Sequence, residues 1–289
     1  MKPLRSTIFK PAARGRNTAL GHGKSIVSRG VFLGGLAGAL LAFVLNLPAQ
    51  WVAHGLSVAS NGQVQLQDSQ GSVWQGSGKL VLTGGVGSLD ALALPGRLQW
   101  QLNFALNESR TPSLNLKLQA ACCMAQAVKL QMTPLHSLTA WQLQVEDHRS
   151  DWPAQWLSGL GAPWNTLEPE GALVLETQQL VLEFKPQKIH VLGRLSLTAL
   201  HLSSKLSTLK PMGTYQLSLA SDTASAAGPS LSLITQSGSL LLNGQGQWQG
   251  SHFQFRGEAA AVPEHAAALS NLLNIIGRRQ GARSLLSLG

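Results

Sequence analysis

The densest polar string in the chain is Glu146-Asp147-His148-Arg149-Ser150-Asp151. Carboxylates beside an imidazole are the residue types of an acid–base pair, which needs two groups of differently tuned pKa within hydrogen-bond reach. The same six residues also compose an ordinary solvated turn, and that is the expectation here. Cys122 and Cys123 are the two cysteines, and they are adjacent. Neighbours on a strand point to opposite faces, which keeps their sulfurs apart. One buried and one exposed thiol are therefore expected, with a vicinal disulfide as the alternative in an oxidising compartment. The eight histidines are dispersed, and no two have the spacing of a zinc site. There is no phosphate-binding P-loop, no G-x-G-x-x-G after a strand and no G-x-S-x-G elbow. The residues name no catalytic group, no metal ligands and no cofactor, and the chain is read as not an enzyme.

The charges are unevenly placed. The 289 residues carry a formal charge of +9, but seven of the 22 cations precede Val31, and the first acid is Asp68. The remainder is nearly balanced, so the body lacks the clustered cations that phosphate recognition needs, and nucleic acid is not an expected partner. Val31–Leu47 is uncharged. At 1.5 Å per residue it makes about 26 Å of helix, and Ile26–Gly30 extend it towards a hydrocarbon core of roughly 30 Å. The reading is a basic cytoplasmic tail (1–25), a transmembrane anchor (26–48) and a body (49–289). The positive-inside rule puts the body in the periplasm of a Gram-negative cell, with the anchor single-pass in the inner membrane. A cleaved signal peptide is the competing reading, but its basic region would be unusually long and Leu47-Pro48-Ala49 is a poor cleavage site. Gly30, Gly34 and Gly38 recur at a spacing of four, which allows a second helix to approach closely; glycine is also simply common in such helices.

Beyond the anchor, apolar residues alternate with polar ones. Leu98, Trp100, Leu102, Phe104 and Leu106 set the pattern, and Leu114–Leu118, Val128–Met132, Trp141–Val145, Tyr215–Leu219, Leu231–Leu233 and Phe253–Phe255 repeat it. Period-two alternation with Gly, Pro, Asn and Ser between the runs predicts an antiparallel meander. The fold class is mainly β: one transmembrane helix, then a curved antiparallel sheet in two halves (about 60–146 and 171–260). Asp151–Leu157 is expected to be a helical turn capped by Ser150 or Asp151 and ended by Gly159 and Gly161. Leu269, Leu272, Leu273 and Ile276 predict an amphipathic helix at about 264–276, opened by Pro263 and closed by Gly277.

Three strings carry a resemblance. Gly71-Ser72-Val73-Trp74-Gln75-Gly76-Ser77-Gly78 looks like a G-x-V-W-x-G motif. Gly161-Ala162-Pro163-Trp164-Asn165-Thr166-Leu167-Glu168-Pro169-Glu170-Gly171 looks like G-x-P-W-N-T-L-x-P-x-G. Pro211-Met212-Gly213-Thr214-Tyr215 is followed by Gly238–Trp248. Together they resemble the type II secretion system protein N family over about residues 31–289. The resemblance implies a non-catalytic inner-membrane component that supports export of folded exoproteins across the outer membrane, with other subunits of the inner-membrane platform as partners. Such proteins are similar in style to AsmA-like envelope proteins, so a groove that carries lipid or another hydrophobic ligand is the alternative.

Physically, Trp74 and Trp164 are expected as packing anchors, Pro163 and Pro169 as rigid points of the crossover, and Gly71, Gly76, Gly161 and Gly171 in turn conformations. Asn165 and Thr166 suit local side-chain-to-backbone bonds. Val73, Leu167 and these neighbours are the structural residues of the motif, with a partner-docking loop as the other reading.

Overall fold

The computed structural model describes residues 26–106, 110–135, 139–186, 188–221, 228–249 and 252–289. The basic tail, 1–25, lies outside the described residues. The chain divides into two units, 1–45 and 46–289.

The first unit contributes helix α1 (Ile26–Leu45). Its side chains are described from Val31 onward, and the large apolar ones are 36–71% exposed. Among the described residues no helix is long and apolar enough to cross a membrane.

The second unit opens with α2 (Gln50–Ala59), an element the sequence reading did not contain. Val52, Ala53 and Leu56, on its inner face, pack against a core of Leu66, Leu80, Trp100 and Ala120. The strands then follow as β1 (Val64–Gly71), β2 (Gln75–Thr83), β3 (Ala91–Ala93), β4 (Leu98–Leu106) and β5 (Pro112–Ala120). Next come β6 (Val128–Pro134), β7 (Trp141–Val145) and β8 (His148–Pro153). A 3₁₀ helix (Ala154–Leu160) and α3 (Trp164–Leu167) interrupt the meander. It resumes with β9 (Pro169–Lys185), β10 (Lys188–Ser204), β11 (Gly213–Ser221), β12 (Ser230–Gly238), β13 (Leu240–Gln249) and β14 (His252–Ala261). A 3₁₀ turn (Pro263–His265), α4 (Ala266–Ile276), β15 (Arg278–Gln280) and β16 (Arg283–Leu288) close the chain.

All strand pairs are antiparallel in one 16-stranded sheet. The two expected halves are continuous, because β9 pairs with β7 through Trp141–Val145 and with β8 through His148–Pro153 on one edge, and with β10 on the other. The alternating runs line up across the ladder. Leu102, Leu116, Leu130 and Val145 form one row, and Leu175, Leu197, Leu217 and Leu233 form another. Directly paired residues share a face, so such rows make one apolar surface. Trp152 pairs with Leu173, Leu173 with Ala199, and Ala199 with Tyr215. The first-half core, which includes Trp152, therefore continues on the same face into the second half.

Three local expectations change. Asp151–Pro153 are strand, not helix: the 3₁₀ helix starts one residue after Pro153, and neither Ser150 nor Asp151 caps it. The hydrogen bonds that β9 offers to β8 outcompete an isolated helical turn. Cys122 and Cys123 are joined in a vicinal disulfide. They sit in a turn after β5, where the Cys123 and Met124 amides both donate to the Ala120 carbonyl, so strand alternation does not separate the sulfurs. The regular helix begins at Ala266, with Pro263 in the preceding 3₁₀ turn, and ends at Gly277 as expected. The chain after it does not trail off but returns to the sheet, with β16 pairing β14.

Candidate functional site

The first motif forms the β1–β2 turn. The Ser72 amide donates to the Gln75 carbonyl at 2.8 Å, and the Val73 amide donates to the Leu47 carbonyl at 2.8 Å. Trp74 meets Phe104 with ring centroids 5.3 Å apart. Gly76 is not in a turn conformation; space decides it, since a Cβ there would lie 2.4 Å from the Trp100 ring. That ring packs over Gly76 and donates its indole N–H to the Ser72 and Val73 carbonyls at 3.2 Å. Trp100 is thus the buried anchor of the motif, at 5% exposure.

The second motif clasps the two halves together. Gly161, at φ 76°, ends the 3₁₀ helix in a conformation closed to most residues, with Gly84 of the first half against it. Asn165 makes no local cap: its Nδ2 donates to Asp90 Oδ2 at 3.0 Å, 75 positions earlier in the chain. Thr166 donates to Asn165 Oδ1 at 3.3 Å. On the other side the Leu167 carbonyl accepts from Ser204 Oγ at 2.5 Å. Glu168 pairs with Lys205, and Glu170 with Lys210 at 2.7 Å. The Lys210 ammonium holds the Glu170 carboxyl below its ordinary range, and the Glu168 carboxylate raises the Lys205 ammonium. Pro169 and Gly171 begin β9, and a Cβ on Gly171 would lie 2.7 Å from the Leu200 carbonyl. Trp164 is not a buried anchor; at 37% exposure it stands at the mouth of a groove.

That groove is an apolar cavity of the second half. It has a volume of about 430 Å³ and lies between α3, strands β9–β13 and α4. Pro163, Trp164, Leu167 and Pro169 of the second motif form one wall. Met212, Tyr215, Leu240 and Leu242, from the third string, form another. Leu272, Ile275 and Ile276 of α4 close the side opposite the sheet. No lining residue carries a charge. Tyr215, the one tyrosine of the chain, is 3% exposed, and its hydroxyl has no hydrogen-bond partner. Burial pushes the phenol well above its ordinary value, because ionisation there would place an unsolvated charge. The convergence of two separate strings on one groove was not visible in the sequence, where each reads as turn punctuation.

Of the polar string expected as a turn, only Glu146 and Asp147 lie between β7 and β8; His148–Asp151 are strand, paired with β9. Glu146 pairs with Lys129 at 3.1 Å, Arg149 with Glu176 at 2.9 Å, and Asp147 Oδ1 accepts from the Gln179 amide at 2.5 Å. These are exposed structural contacts, and the Lys129–Glu146 pair lies at an open polar pocket of about 400 Å³ over β4–β7. Among the described residues no cluster of three His, Cys, Asp or Glu side chains is arranged to hold a metal. On α1, a Cβ added to Gly34 or Gly38 would meet nothing within 4 Å. Gly30 belongs to the same helix, in the stretch whose side chains lie outside the described residues.

A family model for the type II secretion system (T2SS), protein N, matches residues 62–285. The chain belongs to the type II secretion system protein N family. The match begins just before β1, ends within β16 and includes all three strings. Membership implies a role in type II secretion, association with that system's membrane assembly, and interaction with its other components. No curated protein and no solved structure gives a significant match.

Proposed function

We propose that this protein N family member is a non-catalytic component of the inner-membrane side of the type II machine. It supports passage of folded exoproteins from the periplasm across the outer membrane through protein–protein contacts. The observation that carries this reading is the family match across nearly the whole β body. The anchor at 26–48 holds the body at the inner membrane with the N-terminus in the cytoplasm; the exposed apolar surface of α1 and the preceding cations support that topology. Other platform subunits are the partners, reached through the Gly30/Gly34/Gly38 stripe and the strands β1 and β15 at the two ends of the sheet order.

Deleting the chain from its host and following a known exoprotein tests this. The expected outcome is accumulation in the periplasm, reversed by the intact chain. Undisturbed secretion would refute the reading.

A further inference from the structure

We propose that the Cys122–Cys123 bond is a reversible redox site, opened by a dithiol that attacks Cys122 and coupled through the Cys123 carbonyl to strand β8. This does not rest on the secretion role and could fail while that role stands. The bond does little for the fold itself. A disulfide stabilises chiefly by closing a loop in the unfolded chain, and the gain grows with the length of that loop. Cys122 and Cys123 are one position apart, so the loop is the shortest a disulfide can close. The turn also has hydrogen bonds of its own. The Cys123 and Met124 amides donate to the Ala120 carbonyl at 3.0 and 2.9 Å, and Gln119 Nε2 donates to the Met124 carbonyl at 2.8 Å.

The two sulfurs differ in access. Cys123 is 5% exposed and belongs to the first-half core, against which Trp152 and Trp156 pack. Cys122 is exposed, as is Ala121 before it. A thiolate arriving from solvent therefore reaches Cys122, and exposed disulfides are the ones that exchange. The reductant's first sulfur bonds to Cys122 Sγ. The Cys122–Cys123 bond breaks, and its electron pair leaves on Cys123 Sγ, which takes a proton. The reductant's second thiolate then closes on its first sulfur, and Cys122 Sγ departs and is protonated. Two electrons and two protons pass to the chain, and the dithiol becomes a disulfide. The thiols stay neighbours in the chain, so a disulfide oxidant reverses the reaction without any refolding.

Strand β8 senses the change. The Asp151 amide donates to the Cys123 carbonyl at 2.8 Å, a bond that β8 makes outside its ladder with β9. The next residue, Trp152, stacks on Trp156 of the 3₁₀ helix with ring centroids 5.4 Å apart. That helix leads into the second motif. While the sulfurs are bonded, one closed ring fixes the backbone of the pair and the aim of the Cys123 carbonyl. As thiols they separate to van der Waals contact, and the torsions that aim the carbonyl are released. The Asp151 bond is firm in the oxidised form and weaker in the reduced form.

The test uses the full chain in lipid nanodiscs, oxidised or treated with dithiothreitol as the dithiol. An acid quench followed by N-ethylmaleimide in denaturant counts the thiols that formed while the protein was folded. Hydrogen exchange read by mass spectrometry follows the Asp151 amide. Both thiols should appear without denaturant and be lost when oxidised glutathione replaces the dithiothreitol. The Asp151 amide should exchange about two- to tenfold faster in the reduced protein, the range of one hydrogen bond, with β11–β13 unchanged. Cys122→Ser should exchange at the faster rate with or without dithiothreitol. Oxidised glutathione should modify Cys122 in the Cys123→Ser chain and leave Cys123 unmodified in the Cys122→Ser chain; the opposite pattern would overturn Cys122 as the point of attack. A bond that dithiothreitol opens only in denaturant would overturn the site, and that arm needs no variant to fold. An Asp151 amide that exchanges equally in both redox states would overturn the coupling to β8.

Discussion

Tyr215 concentrates the physical chemistry of this molecule in one side chain. A buried hydroxyl without a partner loses its water and gains nothing in return, a penalty of about 1–3 kcal/mol. Tyr215→Phe should therefore raise the stability of the protein by about 1 kcal/mol, measured by urea denaturation; a loss would show that the hydroxyl is bonded after all. The pH dependence follows from the same burial. An unfolded phenol ionises near pH 10, and the folded value is higher. The folded state then keeps its proton where the unfolded state has lost it, so stability is fully present below about pH 10 and falls above it. With one tyrosine in the chain, tyrosinate absorbance should appear only together with loss of circular dichroism. Gly76 is the counterpart in packing. Gly76→Ala would drive a methyl into Trp100 and the Gln70 carbonyl, and a loss of about 1–3 kcal/mol is expected in the same denaturation assay. Cys122 and Cys123 should resist alkylation until a reductant is added, read as intact mass.

At the scale of elements, α4 is the lid of the second-half core. Leu269, Leu272 and Leu273 are at most 2% exposed and pack with Met212, Tyr215, Leu240 and Ala259. Leu269→Ala removes a fully buried side chain from this cluster and leaves a cavity, so about 2–5 kcal/mol should be lost, measured by thermal and chemical unfolding. The i, i+3, i+4 spacing of those leucines made the helix legible from sequence, and period-two alternation did the same for β4–β7, β11, β12 and β14. The segments that went unread have identifiable reasons. The ten residues of α2 are too few for a stable isolated helix, and it exists because Leu56 and its neighbours find Leu66 and Trp100. β15 and β16 are a short, Arg- and Ser-rich return whose ladder is completed only by the free edge of β14. The polar Ser284 hydroxyl at its centre is buried because it donates to the Leu273 carbonyl at the end of α4.

For the whole molecule, the question is how the proposed anchor and the β body act together in type II secretion. In the reading proposed above, the glycine stripe allows close approach of a second helix; a Cβ at Gly34 or Gly38 would meet nothing within 4 Å among the described residues. Replacing both by Ile should weaken in-membrane disulfide cross-linking between helices engineered at neighbouring positions, with protein level and body stability unchanged. Cross-linking at the parental level would place the helix contact elsewhere. The second motif acts at the same scale. It ties Asp90 of the first half to Ser204 of the second, and its outer face builds the groove. The structural reading of that string is thus met by one loop.

Local pattern determined the β class, the C-terminal helix and the family strings, because each depends on residues within a few positions of one another. Tertiary structure alone decided the single continuous sheet, the bond from Asn165 to Asp90, the pairing of Cys122 with Cys123 and the groove around Tyr215. Those features depend on strand register and on turns that bring residues up to 75 positions apart into contact. Register is chosen by the summed burial of whole rows of side chains, a quantity that no short window of sequence contains.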